Sequence, residues 1–514
     1  MPDYNHVSEE VVASQAEIEP LVHLYQNLQD SFTTGQSRLF KSRIAGLRSL
    51  QKLVSENYEA IAEALRSDLN QADPTPHLQE VLRETQFMIS HLSDLMKPRH
   101  VSSQLSVVNF PGSAELVPDP LGVILIIGTW NYPFHSALGP LAGAIAAGNV
   151  VLVKPGSLCR SSSRLMADLI GRYFSPSAVA CVEGGKEVLQ PLLAMRWDHI
   201  MFTGSPNMGK IVMSAAARHL TSVTLELGGK NPVIVDESAD VDLAARRIGW
   251  SKFASNAGQV SISCDHLFVH EDVADKFLSG ISGYLTSFFP NGPENDEHYC
   301  RIVSKTHTER LRKIISMDKP FVAVGGDSDV IAKYISPTII DFKSDWEAFK
   351  SSCAMEGEIF GPILPIIRFK AIEEVESFLK ARMRRESPLA FYVFSSDSRR
   401  AIHNRWVSAD YPAGAVVVND CAMHIVEECL PFGGVGTSGV GSYHGKKSFE
   451  IFTHLKPVLF KTGWLDFPMR YYPSSKFNQR VVQFLLWMGR RNITPINVGK
   501  FVLVVALIYR ILKK

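Results

Sequence analysis

The sequence lacks the marks of a disulfide-rich or metal-binding chain. Its 514 residues include only seven cysteines, an odd number, and no two of them form a C-x-x-C pair. Disulfide frameworks and zinc sites both depend on cysteines at recurring spacings. We therefore expect no metal, and we expect most of these cysteines to pack as small hydrophobic side chains in a reducing compartment.

A strong net charge is also missing. Fifty-three Lys and Arg residues balance 52 Asp and Glu residues, and no long basic run is interleaved with aromatic residues. Nucleic acid is therefore not expected as a partner, because it requires a basic surface. Residues 1–20 are acidic and lack the apolar core of a signal peptide, which predicts an intracellular protein that acts on small molecules.

The C-terminus has no clean run of the roughly 20 apolar residues that a membrane-spanning helix needs. Residues 501–509 are continuously apolar, but Lys500 and Asn497 precede them. A second apolar and aromatic stretch occupies residues 481–488 and is followed by two arginines. We expect residues 471–514 to form a membrane-associating tail that lies tilted or flat on the cytosolic face, the alternative being a helix docked on the body of the protein.

The body of the chain shows alternating strands and helices. Apolar residues recur at steps of three and four over residues 22–97, which predicts helices. Apolar runs at 122–128 and 150–153 then alternate with helical patterns at 140–148 and 162–173. This order predicts a doubly wound parallel sheet.

Two further segments complete the predicted organisation. Residues 101–118 alternate and carry a Pro-Gly turn, so they predict a hairpin that can leave its domain. A G-x-G-x-x-G motif is absent. Instead, residues 202–210 end an apolar strand and begin a helix, which predicts that Gly204, Ser205 and Gly209 offer backbone amides to a diphosphate.

Four motifs follow one another along the chain. They are WNYPF at 130–134, ELGGK at 226–230, EIFGP at 358–362 and PFGGVG at 431–436. In this order they resemble the aldehyde dehydrogenase superfamily, and SGVGSYHGK at 438–446 is similar to its class 3, fatty-aldehyde branch. The resemblance covers about residues 22–470.

The resemblance implies an α/β fold in three parts. A Rossmann-type cofactor-binding domain is expected at 22–227, interrupted by the hairpin at 101–118, and an α/β catalytic domain at 228–430. Residues 431–470 would return to the body and complete a β-hairpin oligomerisation element. A homodimer is expected, because exposed hairpin edges favour symmetric pairing.

The resemblance also implies catalytic and cofactor-binding roles. Asn131 matches the side-chain donor to the oxyanion, and Glu226 matches the general base that activates water for hydrolysis of the acyl-enzyme. On the cofactor side, Glu358 matches the carboxylate that holds the nicotinamide ribose. Trp130 and Phe360 belong to the same cofactor site, with the Phe360 ring beside the ribose.

The adenine end of the cofactor site departs from the family pattern. Lys154 matches the lysine that reaches the adenine ribose, but Ser157 stands where the family often has an acidic residue. Without that negative charge, a 2′-phosphate meets no repulsion. We therefore expect NAD or NADP as cofactor, with NADP accepted at least as readily as NAD.

The nucleophile loop departs further, because Ser261 stands where the family has its cysteine. The preceding stretch, 253–256, is one residue longer than is usual in the class 3 branch. A serine hydroxyl is far less acidic than a thiol of pKa about 8.5. Cys264 stands where the family commonly has proline before Asp265, so the nucleophile is either Ser261 or, in a rearranged loop, Cys264; the alternative for Cys264 is a small buried residue.

Three functions fit these residues. The first is NAD(P)-dependent oxidation of a long-chain or apolar aldehyde to its carboxylic acid. The second is a catalytically silent protein that keeps the cofactor fold for binding. The third is aldehyde or hemiacetal redox chemistry without an acyl-enzyme, which needs no thiol.

Overall fold

A computed structural model describes residues 15–71, 73–101, 112–463, 471–473, 475–480 and 483. Most of the predicted membrane-associating tail and residues 102–111 of the predicted hairpin lie outside the described residues. The chain divides into two compact units. The larger comprises Met1–Leu92 and Pro120–Phe452, and the smaller comprises Ser93–Asp119 and Thr453–Lys514.

The first sheet of the larger unit is parallel except at one edge. Its order is β17-β7-β6-β3-β4-β5, and only β17 runs antiparallel to its neighbour. The central strands β3 and β4 are buried along their whole length, as expected for apolar runs covered on both faces. The strands are β3 (Val123–Ile127), β4 (Val150–Lys154), β5 (Val179–Cys181), β6 (His199–Gly204), β7 (Ser222–Leu227) and β17 (Gly439–Val440).

Helices in the first half of the chain pack around this sheet. They are α1 (Gln15–Thr33), α2 (Phe40–Ser55), α3 (Tyr58–Leu69), α4 (Thr75–Leu95), α5 (Pro133–Ala147), α6 (Arg160–Tyr173), α7 (Lys186–Ala194) and α8 (Pro206–Ala217). Helix α5 starts earlier than the pattern at 140–148 predicts, because Pro133 supplies a favourable first helical residue. Its small residues allow close packing: a Cβ on Gly143 would lie 2.6 Å from the Ser448 carbonyl oxygen.

The second sheet of the larger unit has the order β10-β13-β14-β9-β8-β15-β16, in which only β10 runs antiparallel. An aromatic core that includes Phe268, Phe349 and Phe391 lies beside it. The strands are β8 (Pro232–Val235), β9 (His266–His270), β10 (Val322–Val324), β13 (Thr338–Asp341), β14 (Ile363–Phe369), β15 (Ala390–Phe394) and β16 (Ala415–Val418), with a separate pair β11 (Ser328–Asp329) and β12 (Tyr334–Ile335).

The remaining helices of the larger unit are shorter on average. They are α9 (Val241–Gly249), α10 (Glu271–Phe288), α11 (Lys305–Met317), α12 (Trp346–Ser351), α13 (Ile372–Met383), α14 (Arg399–Trp406) and α15 (Lys446–Ile451). The two mainly parallel sheets with their helices confirm the predicted α/β fold class. The domain boundaries at 227 and 430 stay a prediction.

The smaller unit contains a three-stranded sheet of order β1-β2-β18. Its strands are β1 (Arg99–Val101), β2 (Gly112–Pro120) and β18 (Thr453–Lys461). Strands β1 and β2 pair antiparallel, with His100 opposite Glu115. Leu459 and Phe460 are each 53% exposed on β18. Within the described residues, no helix is both long and apolar enough to cross a membrane.

Candidate active site

The first sheet has its topological switch point between β3 and β6. From β3 the chain moves outward through β4 to β5, and then returns to the other side of β3 as β6. Ligands of doubly wound sheets bind where the strand order reverses, at the carboxyl ends of the strands. The segments that leave these ends carry the residues predicted to bind the cofactor: Trp130 follows β3, Lys154 ends β4, and Ser205 follows β6.

Helix α8 begins at this edge, at the predicted diphosphate site. Ser205 is its N-cap, and the Ser205 hydroxyl accepts a hydrogen bond from the Met208 amide. Gly209 is buried against β7, where an added Cβ would lie 2.7 Å from a Leu227 methyl group. Gly204 immediately precedes the cap. The N-terminus of a helix, with its free amides and dipole, suits a diphosphate.

The adenine end is formed by the residues that follow β4. Lys154 is buried, its Nζ donates to the Pro155 carbonyl at 3.0 Å, and burial lowers the pKa of its ammonium group. Ser157 is exposed in the turn before α6. The exposed Ser157 hydroxyl is uncharged, so this turn presents no carboxylate at position 157.

Trp130 and Phe360, predicted from two distant motifs, meet in the fold, and Glu358 lies two residues before Phe360. The rings of Trp130 and Phe360 lie edge to face with centroids 5.5 Å apart. Phe360 adopts φ 49°, a left-handed conformation that costs a non-glycine residue energy and that the surrounding packing must maintain. The carboxylate of Glu358 lies against Gly228, where an added Cβ would approach Glu358 Oε2 to 2.1 Å.

The carboxyl of Glu358 is largely shielded from water. Burial raises its pKa to about 8, and the charge of Asp265 acts in the same direction, while a hydrogen bond from the Gly229 backbone opposes them. A carboxylate that must hold ribose hydroxyls gains from such shielding, because its hydrogen bonds strengthen where water is excluded.

Glu226 lies near the end of β7 and is 3% exposed. Neither carboxylate oxygen has a hydrogen-bond partner among the described residues. Burial raises the pKa of the Glu226 carboxyl well above its ordinary value. Burial also raises the pKa of the nearby Tyr443 hydroxyl, and the charge of Glu226 adds to that effect. A buried carboxyl without a partner is the arrangement that tunes a glutamate for proton transfer.

Asn131 is tied to the nucleophile loop at both of its amide groups. Its side-chain Nδ2 donates to the Gln259 carbonyl at 2.9 Å, and its backbone carbonyl accepts from Asn256 Nδ2 at 3.0 Å. The predicted oxyanion donor and the predicted nucleophile loop are therefore adjacent, although 128 residues separate Asn131 from Gln259.

A π-helix spans Trp250–Ala254, directly before the predicted nucleophile loop. The Ser255 amide donates to the Trp250 carbonyl at 2.9 Å, a five-residue step instead of the four-residue step of an α-helix. Three consecutive positive φ angles follow, at Asn256, Ala257 and Gly258. The π-helix and the three residues with positive φ together lead the chain to Ser261 in a continuous, hydrogen-bonded path.

Ser261 is held through its backbone. Asn231 Nδ2 donates to the Ser261 carbonyl at 2.8 Å and to the Ser263 carbonyl at 2.9 Å, and the Tyr392 hydroxyl donates to the Ile262 carbonyl. Ser261 itself is half-buried. These contacts fix the backbone on both sides of Ser261 while its side chain keeps some access to solvent.

Cys264 lies in a different environment from Ser261. It is fully buried just before β9, with its sulfur 3.2 Å from the sulfur of Cys421 and 3.9 Å from the Ser251 hydroxyl. This placement favours the packing interpretation of Cys264. Its role as a nucleophile stays a prediction.

Several residues that organise the site escaped the sequence analysis. Lys230 pairs with Asp265 and donates to the Ala354 carbonyl at 2.6 Å, while Asp265 accepts from the Ile359 amide at 2.9 Å. The last residue of the ELGGK motif thus connects the strand after Cys264 to Glu358. Only the presence of Lys230 in a motif gave a signal; Asn231, Tyr392 and Gln259 gave none.

Comparison with known proteins agrees with this geometry. The sequence pattern of the aldehyde dehydrogenase family matches residues 1–458. Rat aldehyde dehydrogenase family 3 member A2 is 38% identical over 466 residues, which cover 90% of this chain and 93% of the rat protein. The chain belongs to the aldehyde dehydrogenase family.

Two further relatives extend this result. The rat protein named aldehyde dehydrogenase, dimeric NADP-preferring, is 39% identical over 437 residues, covering 84% of this chain and 93% of that protein. The substrate-bound structure of AldH from Staphylococcus aureus superimposes with a TM-score of 0.84 at 34% identity, covering 90% of this chain and 99% of that one.

This aldehyde dehydrogenase is an NAD(P)-dependent oxidoreductase that oxidises an aldehyde. The residues at the carboxyl ends of β3 and β6 suit NAD or NADP: the α8 N-terminus is the predicted diphosphate site, and Glu358 would hold the nicotinamide ribose. A cofactor held there would supply the hydride acceptor for oxidation of the aldehyde. Among the described residues, no group of three or more His, Cys, Asp and Glu side chains could hold a metal ion.

Proposed function

We propose that this aldehyde dehydrogenase converts a long-chain or apolar aldehyde to its acid through Ser261, Asn131 and Glu226. The observation that carries the proposal is Glu226, a fully buried carboxyl without a partner among the described residues. Burying such a group without a partner costs folding energy, so its retention supports a working catalytic base rather than a silent site.

The chemistry assigns one task to each side chain. The Ser261 oxygen adds to the aldehyde carbon while its proton passes to a water molecule, and Asn131 donates to the resulting oxyanion. After hydride transfer, Glu226 takes a proton from water, and the hydroxide adds to the ester carbon. Collapse of that adduct breaks the Ser261 ester bond and releases the carboxylic acid.

An apolar substrate is supported by the aromatic residues around Asn131. Tyr132 directly follows Asn131 in the chain and is partly buried. Its hydroxyl lies 3.4 Å from the Ser255 hydroxyl. Burial raises the pKa of Tyr132 to about 12, so this phenol stays neutral. Neutral aromatic walls favour an alkyl chain over a charged one.

Restoring the family nucleophile tests the proposal. Ser261→Cys should raise aldehyde oxidation at least tenfold, which corresponds to about 1.4 kcal/mol of barrier, because a thiolate is the better nucleophile. Ser263→Cys is the matched control: it adds a thiol two residues away, at a buried side chain that donates to the Ser251 carbonyl, and should give no gain. A folded, cofactor-binding Ser261→Cys protein without a gain would contradict the proposal.

Two further variants distinguish Ser261 from Cys264 as the nucleophile. Ser261→Ala should abolish acylation, which intact mass measurement after incubation with aldehyde and NAD(P) reports directly. Cys264→Ala should leave it in place. The reverse pattern would assign the chemistry to Cys264, and acylation of neither side chain with activity retained would favour redox chemistry without an acyl-enzyme.

We propose further that NADP is accepted at least as readily as NAD. The exposed Ser157 turn follows Lys154 in the chain and carries no carboxylate at position 157 to repel a 2′-phosphate. A relative named as NADP-preferring is consistent with this. Titration that shows NAD binding tenfold tighter, a gap of about 1.4 kcal/mol, would contradict it.

A homodimer built on the smaller unit is proposed from its exposed strands. Leu459 and Phe460 on β18 expose apolar surface on a sheet of only three strands. Such edges favour pairing with a second copy. Light scattering at micromolar concentration should give twice the monomer mass of 57.0 kDa, and a monomer would contradict the proposal.

Membrane attachment through residues 471–514, on the cytosolic face, is proposed from the sequence of that tail. Deleting residues 500–514 should release the protein from membranes while cofactor binding is kept, because the deletion lies beyond the family motifs. Fractionation that finds the full chain wholly soluble would contradict the attachment.

A further inference from the structure

Cys264, three residues after Ser261, is in contact with a second cysteine, Cys421. The sulfurs of Cys264 and Cys421 lie 3.2 Å apart, and both residues are fully buried. A disulfide bond is about 2.05 Å long, so the two sulfurs would need to close by roughly 1.2 Å to become bonded. Of all pairs of cysteines among the described residues, this is the one for which a direct sulfur contact is found.

The segments that carry the two cysteines are already held together. The Tyr392 hydroxyl donates to the Ile262 carbonyl, two residues before Cys264, and accepts from the Ala422 amide, one residue after Cys421. Ala422 adopts φ 62°, which fixes the turn that directs Cys421 inward. A single side chain therefore keeps both backbones in place and the sulfurs in register.

The charges around the two sulfurs differ. Cys264 faces the buried ammonium group of Lys252, whose pKa burial lowers to about 8 while the charges of Asp265 and Cys264 raise it. Cys421 lies beside Asp420. Burial, the contact with Cys264 and the charge of Asp420 all raise the pKa of the Cys421 thiol. We assign the first attack to Cys264, because its sulfur lies on the side of Lys252 whereas Cys421 lies beside Asp420.

We propose that Cys264 and Cys421 are a disulfide-forming oxidation site for hydroperoxides. The Cys264 thiolate attacks one oxygen of hydrogen peroxide, the O–O bond breaks, and the products are a Cys264 sulfenic acid and, after protonation, water. The Cys421 sulfur then attacks the Cys264 sulfur, and the sulfenic oxygen leaves with a proton as a second water. Overall, two thiols and one peroxide give one disulfide and two waters.

Contact distance makes the second step efficient, because the resolving thiol is already in place when the sulfenic acid forms. The bond would join the start of β9 to the turn after β16, which lie 157 positions apart in the chain. Oxidation would thus restrain the backbone that follows Ser261. The proposal concerns these two thiols alone and holds whichever residue is the nucleophile.

The experiment is thiol mapping of the full-length protein after treatment with hydrogen peroxide. The protein is unfolded in an alkylating agent, digested without reductant and analysed by mass spectrometry. We expect the peptides of Cys264 and Cys421 to be recovered as one linked species, 2 Da lighter than the sum of the free peptides. Dithiothreitol before alkylation should restore both free peptides.

The chain supplies its own controls. Cys159 and Cys300 are also buried but contact no other cysteine among the described residues, so they should stay alkylated and unlinked. The exposed Cys429 reports that peroxide has acted. Cys421→Val should remove the linked species and leave oxidised Cys264 that a sulfenic acid probe labels; Cys421→Ser serves if the valine variant does not fold.

Two results would overturn the proposal. One is that Cys264 and Cys421 are both recovered alkylated under conditions that oxidise Cys429. The other is that Cys264 is linked to a cysteine other than Cys421. Neither readout requires aldehyde oxidation, so failure of the proposed function and failure of this site are distinguishable.

Discussion

Two acidic side chains of the larger unit are equally buried and behave in opposite ways. Glu226 and Asp265 are each 3% exposed. Asp265 pairs with Lys230 and accepts from the Ile359 amide; although burial acts to raise its pKa, the charge of Lys230 holds that pKa below the ordinary value. Glu226 has no such partner among the described residues, and burial raises its pKa. Partners, rather than depth of burial, decide whether the pKa of a buried carboxyl is lowered or raised.

Replacing Glu226 should have the largest effect on activity. Glu226→Gln removes the base and keeps the shape, so aldehyde oxidation should fall about 10²–10⁴-fold, the usual contribution of a positioned base. Steady-state kinetics measures the loss, and NAD(P) titration should show unchanged affinity. Oxidation within threefold of the unaltered protein would remove Glu226 from the mechanism.

Replacing Asp265 should have the largest effect on folding. Asp265→Asn leaves the buried Lys230 ammonium without its counter-ion, at a cost of about 3–5 kcal/mol in the free energy of unfolding. Urea denaturation measures this cost. Glu226→Gln is the matched control, because its amide replaces an equally buried carboxyl that has no ion-pair partner among the described residues. An equal loss in both variants would erase the contrast.

Some of these residues could be predicted from the sequence alone and others could not. Glu226 and Glu358 were predicted from motifs, and the α/β fold follows from apolar runs such as 122–128, because strand and helix patterns are local in sequence. Asn231, Tyr392 and the Cys264–Cys421 contact could not be predicted, since they join segments more than 30 residues apart whose spacing carries no pattern. The π-helix at Trp250–Ala254 was not predicted either.

A smaller effect is expected at Gly228, on the cofactor side of the comparison. In Gly228→Ala the new methyl group would lie 2.1 Å from Glu358 Oε2, so the carboxylate must move. Affinity for NAD(P) should fall about tenfold, or about 1.4 kcal/mol, as measured by titration. Gly171→Ala is the control, because no atom lies within 4 Å of its added Cβ; equal affinities in both variants would show that Glu358 does not hold the cofactor.

The smallest effect is a pH dependence of stability. Above the unfolded pKa of 4.5, the folded state keeps a proton on Glu226 that the unfolded state has lost. Stability must therefore fall as pH rises towards the raised folded pKa, by at most about 1.4 kcal/mol per pH unit for this one proton. Denaturation of the unaltered protein and of Glu226→Gln at several pH values measures this effect. As pH rises, the free energy of unfolding of the unaltered protein should fall relative to that of the glutamine variant. Parallel curves would refute the raised pKa of Glu226.

The π-helix at Trp250–Ala254 has a consequence for how this loop tolerates change in length. A π turn holds one residue more than an α turn over almost the same axial distance. The segment can therefore gain or lose one residue without a large change in length. The hydrogen bonds of Asn231 and Asn131 would still hold the backbone that follows. Shortening this stretch by one residue should rewind the turn to α-helical form, so the position of Ser261 depends on its anchors and not on its number in the sequence.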